Sequence, residues 1–309
     1  MHYHSRGIAV EAPAKVNLFL RIAGRREDGF HELDTLMQTI SLSDTLHFDD
    51  APDLEHDQLT TDQSRLAVDA SNLILRAVSW VRRRMAEEGL PPAPSQRIHL
   101  IKRIPIGAGL GGGSADAAAA LWALERRWNL SWPIATWRAG ALSLGSDVPF
   151  CHAGGSWRCT GRGEQLGLLT FDRPPALALL CPPFPAATAA VYGAYARLAK
   201  AGTVSDRGLS VEQFAALPWR QWRGQWRNDL TAPACEVVPP LKTVRMWMER
   251  NQISGGMSGS GSTFVAVCES LQAAAEVGAC FEREFPQGRS FAVEPVAAGV
   301  RARELPATV

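Results

Sequence analysis

Apolar and polar positions alternate along residues 8–22. Ala14, Val16, Leu18, Leu20 and Ile22 fall on one face of a predicted strand, and Lys15, Asn17, Phe19 and Arg21 on the other. A turn at Glu27-Asp28-Gly29 leads through Phe30-His31 to further strand-like stretches over 36–42 and 45–48, and the polar, Asp-rich residues 49–64 read as an exposed excursion. From Asn72 to Glu88 the period becomes helical and stops at Gly89, ahead of Pro91 and Pro92. Residues 97–104 read as a strand. After a run of glycines, Ala117, Ala118, Leu121, Leu124 and Trp128 recur at helical spacing. A second helical pattern over 133–144 ends at Gly145-Ser146-Asp147-Val148-Pro149-Phe150, and 154–169 reads as a glycine-punctuated hairpin.

Pro174-Pro175 marks a boundary, beyond which the pattern predicts a strand over 176–181, a helix over 186–199 and a polar linker over 202–210. A helix over 241–250, a second glycine loop over 254–262, a strand over 263–268, a helix over 271–285 and a strand over 290–296 complete the chain. This order predicts an α+β protein of two α/β domains, 1–173 and 174–309, the second with helices on one antiparallel sheet.

With 309 residues, 46% of them hydrophobic, the chain can fill one large or two medium cores. A net charge of +1 gives no support to bulk attraction for nucleic acid or a membrane surface, so small molecules are the expected partners. The six cysteines form no C-x-x-C pair and read as reduced and buried. The chain start shows no signal-type apolar core and no run long enough to span a membrane, which predicts a cytoplasmic location.

The stretch Pro105-Ile106-Gly107-Ala108-Gly109-Leu110-Gly111-Gly112-Gly113-Ser114-Ala115 joins a strand directly to a helix. Five glycines in seven positions free the backbone to take positive φ and to approach a ligand closely, and a helix N-terminus turns unpaired N–H groups toward an anion. The stretch reads as a phosphate cradle, against a flexible turn with glycines for tight packing. It is not a Walker A loop, because no Gly-Lys-Ser/Thr ends it. Ser114 or Gly113 is the expected cap, with Asp116 in the first turn, where a carboxylate suits the helix dipole.

A cradle without its own lysine needs a cation and a base from elsewhere. Lys15 either snorkels to solvent or meets an anionic partner at a strand face where an unpaired ammonium would be expensive. Asp147 either caps the following turn or projects into a cleft. Phe30-His31 can pack in a core or stack on a flat ligand, and Thr188 and Tyr192 share one helix face. The second loop, Met257 to Thr263, is either a plain connector or a further source of N–H groups. Trp219, Trp222 and Trp226 alternate with arginines, but their i, i+3, i+7 spacing reads as one helix face seeking a core rather than a nucleic-acid surface.

Ala12-Pro13-Ala14-Lys15-Val16-Asn17-Leu18, the 105–115 loop, Leu144-Gly145-Ser146-Asp147-Val148-Pro149 and Met257-Ser258-Gly259-Ser260-Gly261 resemble, in order and spacing, the successive signatures of the GHMP small-molecule kinases. Asp28-Gly29-Phe30-His31-Glu32-Leu33 and Phe150 after Pro149 are similar to the members that act on a CDP-linked methylerythritol. The resemblance implies a GHMP-kinase fold with the active site in the cleft between two domains, ATP and Mg2+ as cofactors, a small-molecule acceptor, and no obligate protein partner. It implies Asp147 as general base and Lys15 as the cation that holds it. The 105–115 loop and Asn72 would take the nucleotide, Asn17 the polyol, and Phe30, His31, Thr188 and Tyr192 the cytosine. For the metal it offers only Ser114. Over 201–233 the match reduces to Asn228-Asp229-Leu230. The competing readings are another kinase of this family, for mevalonate, homoserine or a sugar, and a non-catalytic nucleotide- or RNA-binding module on the same fold.

Overall fold

The computed structural model describes residues 7–202 and 208–303, so residues 203–207 of the expected linker lie outside it. The chain runs β1 (Ile8–Arg25), β2 (His31–Asp50), β3 (Gln58–Thr61), α1 (Leu73–Glu87), β4 (Gln96–Ile101), α2 (Gly112–Arg127), α3 (Ile134–Leu144), α4 (Val148–Ala153), β5 (Ser156–Gly161) and β6 (Gln165–Gly167). It continues through β7 (Ala176–Cys181), α5 (Thr188–Lys200), α6 (Val211–Ala215), α7 (Thr231–Val237), α8 (Pro240–Arg250), β8 (Gly255–Met257), β9 (Phe264–Cys268), α9 (Leu271–Glu284), β10 (Arg289–Val293) and β11 (Arg301–Arg303).

Among the described residues two sheets form. One has the path β11-β1-β2-β4-β3, with the β5–β6 hairpin attached to β2, and the other is ordered β10-β7-β9-β8. The long antiparallel pair β1–β2 serves both cores. Its middle, including Val16, Leu18 and Leu36, packs under α2, while Leu20, Ile22 and Leu33 at its far end join the core of the second sheet. Register shifts flank Lys15 and Asn17, between Pro13 and Lys15 and between Asn17 and Phe19, and bend the strand where it meets the cleft. Both faces of β1 are therefore covered, and Phe19, on the face predicted to be polar, packs on Phe214 at 5.4 Å.

Several elements depart from their sequence patterns. The two stretches over 36–48 are one strand, β2, and the polar excursion 49–64 contains β3, which pairs parallel with β4. Edge pairing of this kind comes from backbone groups and leaves little hydrophobic signature. The closing strand β11 returns to pair with β1. Trp219, Trp222 and Trp226 do not share a helix: a short 3-10 turn, Trp219–Gln221, gives way to tight turns, yet Trp222 is fully buried and stacked on Phe214 at 4.6 Å. Core burial drove the spacing, and helix formation did not follow. The cysteines are free, but only four are buried, with Cys235 half-buried and Cys280 exposed on α9.

Candidate active site

A cavity of about 1080 Å³ opens where the two sheets meet. Every residue expected at the site except Ala115 lines it; Ala115 is turned into the core with the rest of the alanine run of α2. That run keeps α2 thin enough to lie against β1, α1 and α4.

The glycine stretch forms one wall. Gly107, Gly109 and Gly111 take φ of +69°, +76° and +71°, and Gly111, not Ser114 or Gly113, is the N-cap of α2. Gly109 is the tightest: a Cβ there would stand 2.6 Å from the Ser258 carbonyl oxygen and 2.7 Å from that of Gly261. The second glycine loop is thus pressed onto the first. Thr263 N donates to Ala108 O at 3.2 Å, Ser258 Oγ donates to Gly109 O at 3.3 Å, and Lys15 N donates to Leu110 O at 3.0 Å. The helical ladder of α2 begins with Ala115 N to Gly111 O, so the preceding N–H groups at its N-terminus have no partner within the helix, the arrangement that suits an anion.

Lys15 and Asp147 meet beside this wall, with Nζ 3.1 Å from Asp147 Oδ2. Asp147 occupies the N-cap position of α4 but makes no side-chain capping bond, and Pro149 follows in the first turn. Of the two roles open to it, the carboxylate takes the cleft. Lys15 Nζ also donates to Asn17 Oδ1 at 2.7 Å, and Asn17 Nδ2 donates to Thr35 Oγ1 at 2.8 Å. Asn17 therefore commits both ends of its amide inside the protein and orients Lys15. The Lys15 side chain is 5% exposed and that of Asp147 30%, so a ligand reaches the carboxylate more easily than the ammonium.

A second buried cluster escaped sequence reasoning. Lys102, just past β4, donates to Asp44 Oδ2 and, at 2.7 Å, to Asp116 Oδ2, while Asp44 Oδ1 accepts from the backbone of Arg103 at 2.6 Å and Ile104 at 2.8 Å. Asp116 lies in the second turn of α2, not its first, so its partner is Lys102 rather than the helix dipole. Its only sequence signal is a lone carboxylate in a run of alanines. Burial raises the Asp116 carboxyl, against the pull of Lys102 and with the help of Asp44. Lys102 stays above the usual lysine range, because its two carboxylates outweigh the burial that opposes its charge.

Aromatic side chains form the opposite end. His31 stacks on Tyr192 with ring centres 5.3 Å apart, and Tyr195, absent from the sequence-based set, meets His31 edge-on at 5.4 Å. Burial, with the Arg25 charge, lowers the His31 pKa and favours the neutral ring; burial, with the Asp147 charge, raises that of Tyr192 and keeps the phenol neutral. Phe30 is 51% exposed, with the Arg162 guanidinium 4.6 Å over its ring. Thr188 and Ser260 hydroxyls lie 2.9 Å apart. Asn72 caps α1, accepting from Ile74 N at 2.9 Å and donating to Ala67 O at 2.6 Å. Among the described residues no group of three His, Cys, Asp or Glu could hold a metal, and no helix is long and apolar enough to cross a membrane.

Comparison with known proteins agrees with this layout. The model of the GHMP kinases N terminal domain matches residues 72–155, and that of the GHMP kinases C terminal domain matches 215–287. A curated 4-diphosphocytidyl-2-C-methyl-D-erythritol kinase of Synechococcus sp. (strain CC9605) is 40% identical over 267 residues, covering 82% of this chain and 85% of the relative. The enzyme of that name from Rhizobium etli (strain CIAT 652) is 35% identical over 298 residues, covering 95% and 97%. A crystal structure of 4-(cytidine 5'-diphospho)-2C-methyl-D-erythritol kinase superposes with a TM-score of 0.74 at 33% identity, over 94% of this chain and 100% of that one. With both halves matched and the glycine loops, lysine and aspartate gathered on one cavity, the chain belongs to the 4-diphosphocytidyl-2-C-methyl-D-erythritol kinase family of GHMP kinases.

Proposed function

We propose that this chain transfers the γ-phosphoryl group of ATP to the 2-hydroxyl of 4-diphosphocytidyl-2-C-methyl-D-erythritol. The observation that carries the reading is the Lys15–Asp147 contact of 3.1 Å, set in a cavity with the phosphate cradle at one end and the His31–Tyr192 stack at the other. A tertiary hydroxyl is a poor nucleophile until its proton has a destination. Asp147 receives that proton as the oxygen bonds to the γ-phosphorus and the bond to the ADP oxygen breaks. Lys15 holds Asp147 in place and offsets the charge spread over the transferred group. Catalysis of this type is mainly positioning and electrostatic stabilisation.

The triphosphate lies along the 105–115 loop, against the free N–H groups of α2, and Asn72 borders the nucleotide through the start of α1. Cytosine enters the wall made by Phe30, His31 and Tyr192, where a neutral imidazole can face the polar edge of a base and Thr188 lies alongside. Mg2+ in such a site would be held largely by phosphate oxygens and water, which needs no carboxylate cage among the described residues, and Ser114, which lines the cavity in the first turn of α2, would be its side-chain ligand. When bound, the ion neutralises the phosphate oxygens.

Offering ATP and magnesium with the CDP-linked methylerythritol, mevalonate and homoserine in parallel tests this reading. Only the first acceptor should be phosphorylated. Turnover of mevalonate or homoserine alone would overturn it, since neither has a flat base for the aromatic wall. Phosphorylation of none would leave the module reading in its place.

A further inference from the structure

The β5–β6 turn borders the cavity, with Arg162 lining it. Gly161 and Gly163 flank Arg162 with φ of +71° and +109°, so the backbone turns tightly on either side of the side chain. Gly163 runs so near Asp147 that a Cβ there would stand 3.7 Å from Oδ1. Arg162 itself reaches the other way, over Phe30 at 4.6 Å, and lines the cavity. Among the described residues no carboxylate comes within ion-pair distance of its guanidinium: nearby Asp28 is held by Arg26 at 3.1 Å and accepts from Phe30 N, while Glu212 and Asp34 are held by Arg158. Glu164 accepts from the Arg162 backbone N at 2.6 Å, and the half-buried guanidinium, stacked on an aromatic face and without an ion pair among the described residues, keeps its fork of donors for an anion.

This placement matches the order of groups in the proposed acceptor, where a diphosphate links the base to the polyol. The base belongs at Phe30, His31 and Tyr192, and the polyol at Lys15 and Asp147. Arg162 sits on the turn that borders both, with its guanidinium over Phe30 and the next residue, Gly163, beside Asp147. We infer that Arg162 binds the diphosphate of the acceptor and selects for a charged, nucleotide-linked alcohol over a free one. The inference rests on the function proposed above. The guanidinium supplies paired N–H donors to phosphate oxygens, and the flanking glycines let it approach without disturbing Asp147. Arg25 also lines the cavity, but its place in β1 opposite His31 puts it at the aromatic end.

Competition by cytidine, CMP and CDP against the CDP-linked acceptor tests this. In the wild type, competition should strengthen from cytidine to CDP. In Arg162→Gln the advantage of CDP over cytidine should fall roughly tenfold, the loss expected for charge-assisted hydrogen bonds to phosphate, while cytidine competes as before. KM for the acceptor should rise about tenfold as well, with KM for ATP unchanged, and Arg162→Lys should restore part of the loss because it keeps the charge but not the fork. An unchanged ratio of CDP to cytidine in Arg162→Gln would overturn the inference while leaving the proposed function standing. Equal weakening of cytidine and CDP would also overturn it, by showing that Arg162 only props Phe30. If the wild type does not phosphorylate the CDP-linked acceptor, the function falls and the inference with it.

Discussion

Two lysine–carboxylate clusters border the same cavity, and they differ in how far their carboxylates are exposed. In the Lys15–Asp147 pair the lysine is sealed and the carboxylate is 30% exposed. In the Lys102 cluster all three side chains are sealed, at 5% for Lys102 and Asp116 and 0% for Asp44. The first cluster therefore presents a carboxylate that a small ligand can reach. The second ties β2, the end of β4, the start of the glycine loop and α2 into one unit and, although Lys102 and Asp116 line the cavity, exposes almost none of its surface. Similar charges at similar distances are open to solvent in one cluster and closed to it in the other.

Removing the reachable carboxylate should produce the largest effect. Asp147→Asn is expected to lower kcat by roughly 10²–10⁴-fold with little change in KM for ATP, the loss typical of a missing general base. Lys15→Ala should also slow turnover strongly. The double variant should lose far less than the product of the single losses, because both residues act on one proton transfer. Multiplicative losses in steady-state kinetics would show two independent roles and dissolve the pair.

The sealed cluster should answer in stability before it answers in rate. Lys102→Met removes the cation that holds Asp44 and Asp116 together in the core, and about 3 kcal/mol of folding stability should be lost in urea denaturation. Adding Asp116→Asn should recover part of it. A Lys102→Met variant with wild-type stability and greatly reduced kcat would instead place Lys102 with Lys15 among the reacting groups.

At the aromatic end the stakes are smaller. Tyr192→Ala should raise KM for the CDP-linked acceptor about tenfold, from on the order of 1 kcal/mol of lost base stacking, while KM for ATP stays near its wild-type value and Phe restores much of the binding. Damage to ATP binding instead would move Tyr192 to the nucleotide end.

The last test concerns pH. Burial raises the Asp116 carboxyl to about 8, whereas the unfolded chain releases that proton near pH ~4. Between those values the folded state holds a proton that the unfolded state has given up, so this group makes folding less favourable as pH rises. Asp116→Asn removes the slope. Relative to wild type, the variant should gain stability between pH 5 and pH 8 in parallel denaturation curves. A difference that is flat across that range would mean that Asp116 is already ionised at pH 5.

Much of this was legible along the chain because it depends on near neighbours. The cap of α1 at Asn72, the glycine stretch running into α2, the β5–β6 hairpin and the two ends of β7 are set by residues within a few positions of one another. Lys15 and Asn17 are neighbours because a strand repeats every two residues. The family signatures further marked Lys15 and Asp147 as belonging together. What sequence could not supply was decided by contacts between distant segments. Asp147 stands where a cap would stand, yet its carboxylate makes no capping bond and meets Lys15 of β1 instead. Asp44, Lys102 and Asp116 carry no shared spacing, and Arg162 lies far in sequence from Phe30, so neither grouping exists until the strands are paired. The tryptophan repeat had helical spacing, yet the core accepted those rings on turns, because burial of apolar area constrains where a side chain ends rather than which backbone delivers it. Local periodicity reports which backbone form is favoured nearby; partners across a cleft are chosen by burial, charge and geometry that only the folded chain brings within reach.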